Sequence, residues 1–116
     1  MTGDELAALL AAGDVQLLDV RTAEEYDGTG GYGCDPRQGH IPGAVNIDVS
    51  ELVAAADVRA LLAQQGLDGG RRIVCYCHSG SRSAYAVAAL AAAGVAAENY
   101  EGSWHEWSQR SDAGSS

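Results

Sequence analysis

Short apolar segments alternate with amphipathic ones along the chain. Four short segments predict β-strands: residues 15–20, 44–47, 72–76 and 98–100. Between them, apolar residues at helical spacing and polar capping residues predict helices. These helices cover residues 1–12, a turn at 22–26, a short helix capped by Ser50, and residues 58–66, 81–93 and 103–107. Strands that alternate with helices predict an α/β protein with a parallel sheet and helices on its faces.

Capping residues and glycines predict where these elements begin and end. Thr2, with Glu5 three residues later, is typical of a helix start, and Gly13 of a helix stop. Thr22 and Ser103 are predicted to cap two further helices. A loop is predicted for 27–39, because this segment contains five glycines and a proline. Gly69 and Gly70 predict a turn into the third strand.

The length of 116 residues fits one domain. We therefore expect one domain over residues 1–110 and a flexible tail over 111–116. The net charge is −9, and the chain has only one adjacent pair of basic residues, Arg71 and Arg72. Binding to nucleic acid requires clustered basic residues, so we expect no nucleic-acid partner. An anionic substrate would need positive potential created locally, by backbone amides and a few cations.

The remaining bulk features predict a cytoplasmic protein that does not contact a membrane. No secretory signal opens the sequence, and the apolar run over 84–97 is too short to span a bilayer. Three cysteines do not form a disulfide framework, so reduced thiols are expected. The abrupt start on a helix cap also raises the expectation of a longer polypeptide.

The candidate chemistry lies in the segment Cys77-His78-Ser79-Gly80-Ser81-Arg82-Ser83. Cys77 follows a predicted buried strand and precedes a helix, where open parallel sheets bind ligands. A turn of serines and glycine can point backbone N–H groups at one anion, and the helix N-terminus adds positive potential. Arg82 contributes a permanent positive charge. These features favour a thiolate, so we predict that the pKa of Cys77 is lowered and that Cys77 is a nucleophile.

The other two cysteines have different interpretations. Cys75 lies inside the strand and is predicted to be a buried structural residue. Cys34, in the glycine-rich loop, is interpreted as an incidental residue, with a second redox thiol as the alternative. Zinc ligation by Cys34, His40, Cys75, Cys77 and His78 is not favoured, because the spacing Cys-x-Cys at a strand end does not match structural zinc sites. We therefore predict no metal.

Four segments resemble signatures of the rhodanese family. They are Asp19–Tyr26, Gly39–Ile47, the Cys77–Ser83 loop and Tyr100–Trp107, and together they span nearly the whole chain. The last segment and the glycine-rich loop are similar to those of the catalytic C-terminal half of two-domain thiosulfate sulfurtransferases. The resemblance therefore implies a rhodanese-like fold with four to five parallel strands. It also raises the expectation of a second, N-terminal rhodanese domain outside this sequence.

The resemblance implies a reaction through a persulfide on Cys77. Cys77 would take the outer sulfur of thiosulfate, sulfite would leave, and a thiophilic acceptor such as cyanide or a thiol would collect the sulfur. The loop amides from His78 to Arg82 would hold the persulfide. The family implies no cofactor, because the protein itself carries the sulfur.

Three alternatives remain open at this point. Mercaptopyruvate or a polysulfide is the second choice of donor, although mercaptopyruvate sulfurtransferases typically lack arginine at the position of Arg82. A phosphatase or an arsenate reductase on the same scaffold is a further alternative, but the related phosphatases have a loop that is one residue longer between cysteine and arginine. Here four residues intervene, and the smaller ring favours sulfur over phosphate. A regulatory module that has lost the chemistry would usually have lost the cysteine.

Four supporting residues carry weaker predictions. Asp19 and Arg21 end the first strand near the predicted crevice and could tune the loop, but an ion pair of Arg21 with Glu24 or Glu25 is an equal alternative. His40 is a candidate proton donor, although a structural role in its turn is favoured. Trp104 is expected in the core and could also wall the pocket.

Overall fold

The computed structural model of the protein describes residues 1–67 and 71–110. Within these ranges four strands form one parallel sheet in the order β2-β1-β3-β4. The strands are β1 (Val15–Asp19), β2 (Val45–Asn46), β3 (Arg72–Tyr76) and β4 (Ala97–Asn99). The predicted α/β fold with a parallel, four-stranded sheet is confirmed.

Six helices connect and cover the strands in this part of the chain. They are α1 (Gly3–Ala12), α2 (Ala23–Asp27), α3 (Val49–Ala54), α4 (Val58–Gln64), α5 (Ser81–Ala92) and α6 (Ser103–Trp107). Among them, none is long and apolar enough to cross a membrane.

The sheet separates two hydrophobic cores, because side chains of a strand alternate between its faces. On one face, Val74 and Tyr76 of β3 pack with Leu6 of α1 and Trp104 of α6. On the other face, Ile73 and Cys75 of β3 pack against helices α3, α4 and α5, and so does Cys77, which directly follows the strand. The alternation along β3 therefore places Cys77 on the side of the sheet that α5 covers.

The predicted caps are partly confirmed. Thr2 and Thr22 each form a capping box with the glutamate three residues later, and Gly13 adopts the left-handed conformation after α1. Ser50 is not a cap, because Asp48 precedes it and accepts its N–H. Ser103 is not a cap either: it is the first residue of α6, with a φ of +55°, and its hydroxyl contacts other segments.

Two predicted strands differ in extent. The predicted buried strand 44–47 contains only the two half-buried residues of β2, which lies at the edge of the sheet. The fourth strand is shifted by one residue towards the N-terminus, to Ala97–Asn99. The predicted loop over 27–39 contains no strand, and helix α2 reaches only its first residue. The predicted turn at Gly69-Gly70 and the predicted tail 111–116 lie outside the described residues.

Candidate active site

Cys77 lies at the carboxyl edge of the sheet, directly after β3 and three residues before the Gly80 that precedes α5. The carboxyl ends of β1 and β4 flank it, because both strands pair with β3 in parallel. This edge is where open parallel sheets bind ligands. The topology therefore brings Asp19, Cys77 and Asn99 to the same edge of the sheet.

The sulfur of Cys77 accepts hydrogen bonds from the loop that follows it. The N–H of Gly80 donates to Sγ over 3.1 Å, and the hydroxyl of Ser83 lies 3.4 Å from Sγ. Cys77 is only 1% exposed. The thiol is therefore held inside the loop, and only a slender group can reach it.

These contacts favour the thiolate. Burial opposes ionisation, but hydrogen bonds from the Ser83 hydroxyl and from the backbone N–H groups of Ser83, Gly80 and Ser79 outweigh it. The pKa of Cys77 is consequently below its ordinary value. The lowered pKa of Cys77 agrees with the prediction from the sequence. Its cause is the predicted cluster of backbone amides together with the hydroxyl of Ser83.

Residues at the end of β4 and in α6 bind the backbone of the active-site loop, defined here as residues 77–83. The N–H groups of Trp104 and His105 donate to the carbonyl oxygens of Cys77 (2.9 Å) and His78 (3.0 Å). Ser103 Oγ accepts the N–H of Cys77, and Asn99 Nδ2 donates to the carbonyl of Gly80. Because these partners lie on β4 and α6, the loop conformation is fixed before any substrate binds.

Gly80 has to be glycine for two reasons. Its φ is +98°, in the left-handed region that residues with a Cβ rarely adopt. A Cβ built at this position would lie 2.6 Å from the carbonyl oxygen of Glu101. The close approach of these two backbones lets the Gly80 N–H reach Cys77.

Arg82 does not point freely at the thiol, since its guanidinium forms two hydrogen bonds with the carboxylate of Glu25, at 2.8 and 3.0 Å. Hydrogen bonding to Glu25 raises the pKa of Arg82. Glu25 belongs to α2, where it also completes the capping box with Thr22. The charge of Arg82 is therefore largely balanced by Glu25.

The other loop side chains differ in exposure: Ser79 and Ser81 are exposed and His78 is half-buried.

Arg21 pairs with Asp19 inside the protein, so the alternative considered for it, an ion pair with Glu24 or Glu25, is wrong. Arg21 Nη2 lies 2.7 Å from Asp19 Oδ2, and both side chains are buried. Arg21 also donates to the carbonyl of Gly39 and lies over the rings of Tyr76 and Trp104. Burial opposes the charge, but Asp19 outweighs it and raises the pKa of Arg21.

The environments of His40 and Trp104 fit structural roles. His40 Nδ1 lies 2.8 Å from the carbonyl oxygen of Tyr26, and the two rings stack at 3.7 Å. Trp104 is fully buried, and its indole N–H donates to the carbonyl of Arg37. Trp104 touches the active-site loop through its backbone N–H, at the carbonyl of Cys77.

The three cysteines occupy different environments. Cys75 is buried, and burial, followed by the nearby Cys77, raises the pKa of its thiol to about 12. Such a thiol is inert, as predicted for a structural residue. Cys34 is exposed. Of the five residues considered above as zinc ligands, Cys34 and His78 lie close to each other. The other potential ligands in that cluster are Asp35 and His105.

Sequence reasoning missed several residues that hold the site. From the sequence Glu25 is considered only as a partner for Arg21, and neither Asn99 nor Ser103 is recognised as a contact of the loop. Asn99 ends β4, so its position beside the end of β3 was a usable signal. No signal in the sequence connects Asp35 or His105 to the active-site loop.

Comparison with known proteins assigns the family. The family model described as rhodanese-like domain matches residues 2–110. The chain belongs to the rhodanese-like domain family. The resemblance noted in the sequence is thereby confirmed.

Several relatives of this chain carry names of sulfurtransferases. The chain is 42% identical over 104 residues to a Mycobacterium tuberculosis protein named "Putative thiosulfate sulfurtransferase SseB", covering 84% of this chain and 36% of that protein. It is 32% identical over 108 residues to the Escherichia coli "3-mercaptopyruvate sulfurtransferase", covering 84% and 37%. A solved structure described as "Probable Thiosulfate Sulfurtransferase" superimposes with a TM-score of 0.75 at 42% identity, covering 94% of this chain and 44% of that one. This rhodanese-like domain thus spans less than half the length of these relatives.

Proposed function

We propose that this rhodanese-like domain is a sulfurtransferase that moves the outer sulfur of thiosulfate to a thiophilic acceptor through a persulfide on Cys77. The observation that carries the proposal is the Cys77 sulfur, which accepts hydrogen bonds from the N–H of Gly80 and from Ser83 and has a lowered pKa. The names of the relatives support this class of reaction.

The reaction has two displacement steps on Cys77. The thiolate attacks the outer sulfur of thiosulfate, a new S–S bond forms, and the old S–S bond breaks with its electron pair leaving on sulfite. The persulfide then carries a terminal sulfur anion. Cyanide or a thiolate attacks that sulfur, and the Cys77 thiolate is released.

The active-site loop supports both steps. The N–H groups of Ser79, Gly80 and Ser83, which stabilise the thiolate, are positioned to stabilise the terminal anion of the persulfide. The amides of His78 and Ser81 and the Arg82 charge complete the proposed anion-binding loop. Because the loop is clamped by Asn99 and Trp104, it needs no reorganisation between the two steps.

Mercaptopyruvate is the second candidate donor, and one observation favours it. Glu25 balances the charge of Arg82, and this weakens attraction for the dianion thiosulfate more than for the monoanion mercaptopyruvate. The Escherichia coli relative carries that substrate in its name. A polysulfide donor is compatible with the same loop.

The other two interpretations have less support. A phosphatase or arsenate reductase would have to bring the central phosphorus or arsenic atom of its oxyanion to a thiol that is 1% exposed inside a short loop, whereas thiosulfate presents its terminal sulfur to that thiol. A regulatory module without chemistry would not need a thiol whose pKa is lowered. Asp19, Arg21, His40 and Trp104 are proposed to position the loop and its neighbouring turns, since their contacts lie within the protein.

Intact-protein mass spectrometry tests the proposal. Brief incubation with thiosulfate is expected to add the mass of one sulfur atom, and cyanide is expected to remove it and yield thiocyanate. Parallel incubations with mercaptopyruvate and a polysulfide identify the preferred donor. If none of the three donors adds sulfur to a folded, reduced protein, the proposal is wrong.

Two cysteine variants assign the sulfur to its site. Cys77→Ala is expected to stay folded and to gain no sulfur from any donor. Cys34→Ala, which removes an exposed thiol, is expected to gain and lose sulfur as the wild type does. Sulfur that persists in Cys77→Ala would refute the assignment to Cys77.

A further inference from the structure

Four potential metal-binding side chains meet beside the active-site loop. Cys34 and Asp35 come from the glycine-rich loop, His78 from the active-site loop and His105 from α6. One sulfur, nitrogen or oxygen atom from each residue lies within 4.8 Å of the other three. The fold thus assembles a mixed S, O, N, N donor set from three distant segments.

The carboxylate of Asp35 forms the centre of this cluster. His105 Nδ1 lies 2.7 Å from Oδ1, and His78 Nε2 lies 3.2 Å from the same oxygen. The sulfur of Cys34 lies 3.9 Å from Oδ1 of Asp35 and 3.9 Å from Nε2 of His78. Both imidazoles therefore present a ring nitrogen to the same small volume.

The second oxygen of Asp35 is buried without a hydrogen bond. The Asp35 side chain is 1% exposed, and Oδ2 has no hydrogen-bond partner anywhere in residues 1–67 and 71–110. His78 Nε2 approaches Oδ2 to 3.1 Å, but not in the alignment of a hydrogen bond. A buried carboxylate oxygen is costly unless a donor or a cation satisfies it. Its position among three metal-binding side chains indicates a cation.

We propose that Cys34, Asp35, His78 and His105 bind one thiophilic divalent cation of the zinc type. Thiolate, imidazole and carboxylate are the ligands that zinc uses, with four ligands in a tetrahedral arrangement at about 2.0–2.3 Å. Donor atoms within 4.8 Å of one another require only small side-chain rotations to reach such distances. Metal binding by ligands of these types releases the protons that they carry.

Backbone hydrogen bonds and one ring stack hold three of the four ligands, Asp35, His78 and His105, without the cation. The N–H of His105 donates to the carbonyl of His78 over 3.0 Å, which ties the two histidines together. The N–H of Asp35 donates to the carbonyl of Tyr32 over 3.1 Å, and the Tyr32 ring stacks on His78 at 3.9 Å. These contacts pre-organise the site and reduce the ordering needed on binding.

This site differs from the sulfur-transfer site and does not depend on the proposed activity. Its thiol is Cys34, whereas sulfur transfer is assigned to Cys77. The two sites adjoin through His78, which follows Cys77 directly and whose carbonyl is bound by His105. Metal binding can therefore be measured on protein that has no donor, acceptor or turnover.

Titration with Co²⁺ tests the site, because cobalt reports its ligands by absorption. Metal-free protein, kept reduced without thiols, is expected to bind one Co²⁺ per chain. A thiolate-to-cobalt charge-transfer band and the intense ligand-field bands of a four-coordinate ion are expected to appear together. Competition with Zn²⁺ should remove both and give the zinc affinity.

Matched variants decide which thiol and which carboxylate bind. Cys77→Ala should keep the charge-transfer band, whereas Cys34→Ser should lose it. Asp35→Asn and His105→Gln should weaken binding at least about tenfold, since even outer-shell partners of a ligand contribute that much. Asp27→Asn, which changes an exposed carboxylate at the end of α2, should leave metal binding unchanged.

Two results would overturn the proposal. One is a wild-type protein, folded by circular dichroism, that binds no Co²⁺ or Zn²⁺ in the micromolar range. The other is a charge-transfer band that survives in Cys34→Ser and disappears in Cys77→Ala, which would place the metal on the sulfur-transfer thiol.

Discussion

Glu25 and Arg82 form a two-point ion pair that joins helix α2 to the first turn of α5. Both guanidinium–carboxylate distances are 3.0 Å or shorter. The Glu25 side chain is 10% exposed, so water screens the pair less than it would on an open surface. The position and the local charge of Arg82 in the active-site loop therefore depend on a residue 57 positions away.

Replacing Glu25 with Gln is expected to lower the free energy of unfolding and to flatten its acid dependence. Burial opposes ionisation, but Arg82 and Thr22 outweigh it and lower the pKa of Glu25 from 4.5 to about 2. The unfolded chain binds the proton more tightly, so this stabilisation is complete above about pH 4.5 and is lost as the pH falls towards 2. Urea unfolding at a series of pH values measures it.

The control for this measurement is Glu24→Gln on the same turn of α2. Glu24 is exposed, so its variant should follow the wild-type acid dependence. A stability difference between wild type and Glu25→Gln that stays constant down to pH 2 would contradict the pKa of Glu25.

Ser83→Ala is expected to raise the pKa of Cys77 and to slow sulfur transfer near neutral pH. The Ser83 hydroxyl is one of the groups that offset burial and lower the pKa of Cys77. A hydrogen bond to the charged form of a group favours that form, so loss of the Ser83 hydroxyl should move the pKa of Cys77 upward. The pH dependence of the alkylation rate by a small reagent, followed at Cys77 by mass spectrometry, measures the change.

Ser79→Ala separates side-chain effects from backbone effects. Ser79 acts on Cys77 through its N–H, which alanine retains, so the pKa of Cys77 should stay near the wild-type value. An alkylation profile of Ser83→Ala that coincides with that of Ser79→Ala would mean that the Ser83 hydroxyl does not stabilise the thiolate.

The sequence predicts the sheet and the position of Cys77 because these depend on local patterns. The apolar run before Cys77 and the glycine–serine turn after it define a strand end and a helix start, and β3 and α5 follow that prediction closely. The capping roles of Thr2 and Thr22 are predictable for the same reason, since a capping box lies within four consecutive residues.

The contacts that hold the site could not be predicted, because they join residues far apart in the chain. Glu25 was available to Arg21 or to Arg82, and only the packing of Asp19 against Arg21 decides between them. Serine is a residue type that commonly caps helices. Here α6 lies close to the active-site loop, and the hydroxyl of Ser103 accepts the N–H of Cys77 instead. Tertiary contacts overrode the local preference at these positions.

Gly80→Ala is expected to destabilise the fold and to abolish most sulfur transfer. Alanine would have to adopt a φ of +98°, and its Cβ would lie 2.6 Å from the carbonyl oxygen of Glu101. The left-handed conformation alone costs about 1–2 kcal/mol. The clash adds to this cost and moves the Gly80 N–H away from the Cys77 sulfur. Urea unfolding and persulfide formation measure the two effects.

Gly43→Ala is the matched control for the backbone cost. Gly43 has a φ of +88°, and a Cβ at this position would meet no atom within 4 Å. Its variant should lose stability through strain alone and should still form the persulfide. Equal loss of stability in the two variants would show that the contact between Gly80 and Glu101 is not tight.

Asp19→Asn is expected to cost about 3–5 kcal/mol of stability, because it leaves the buried charge of Arg21 without its partner. Both side chains of this pair are at most 1% exposed, and Asp19 accepts hydrogen bonds from the Arg21 guanidinium and from its backbone N–H. Glu98→Gln is the control, since it breaks an ion pair with Arg72 whose side chains are 43% and 49% exposed. Water solvates Arg72 after that change, so a much smaller loss is expected. Urea unfolding of both variants at neutral pH measures the two losses of stability. Equal losses would mean that burial does not make the Asp19–Arg21 pair more important for stability than the exposed pair.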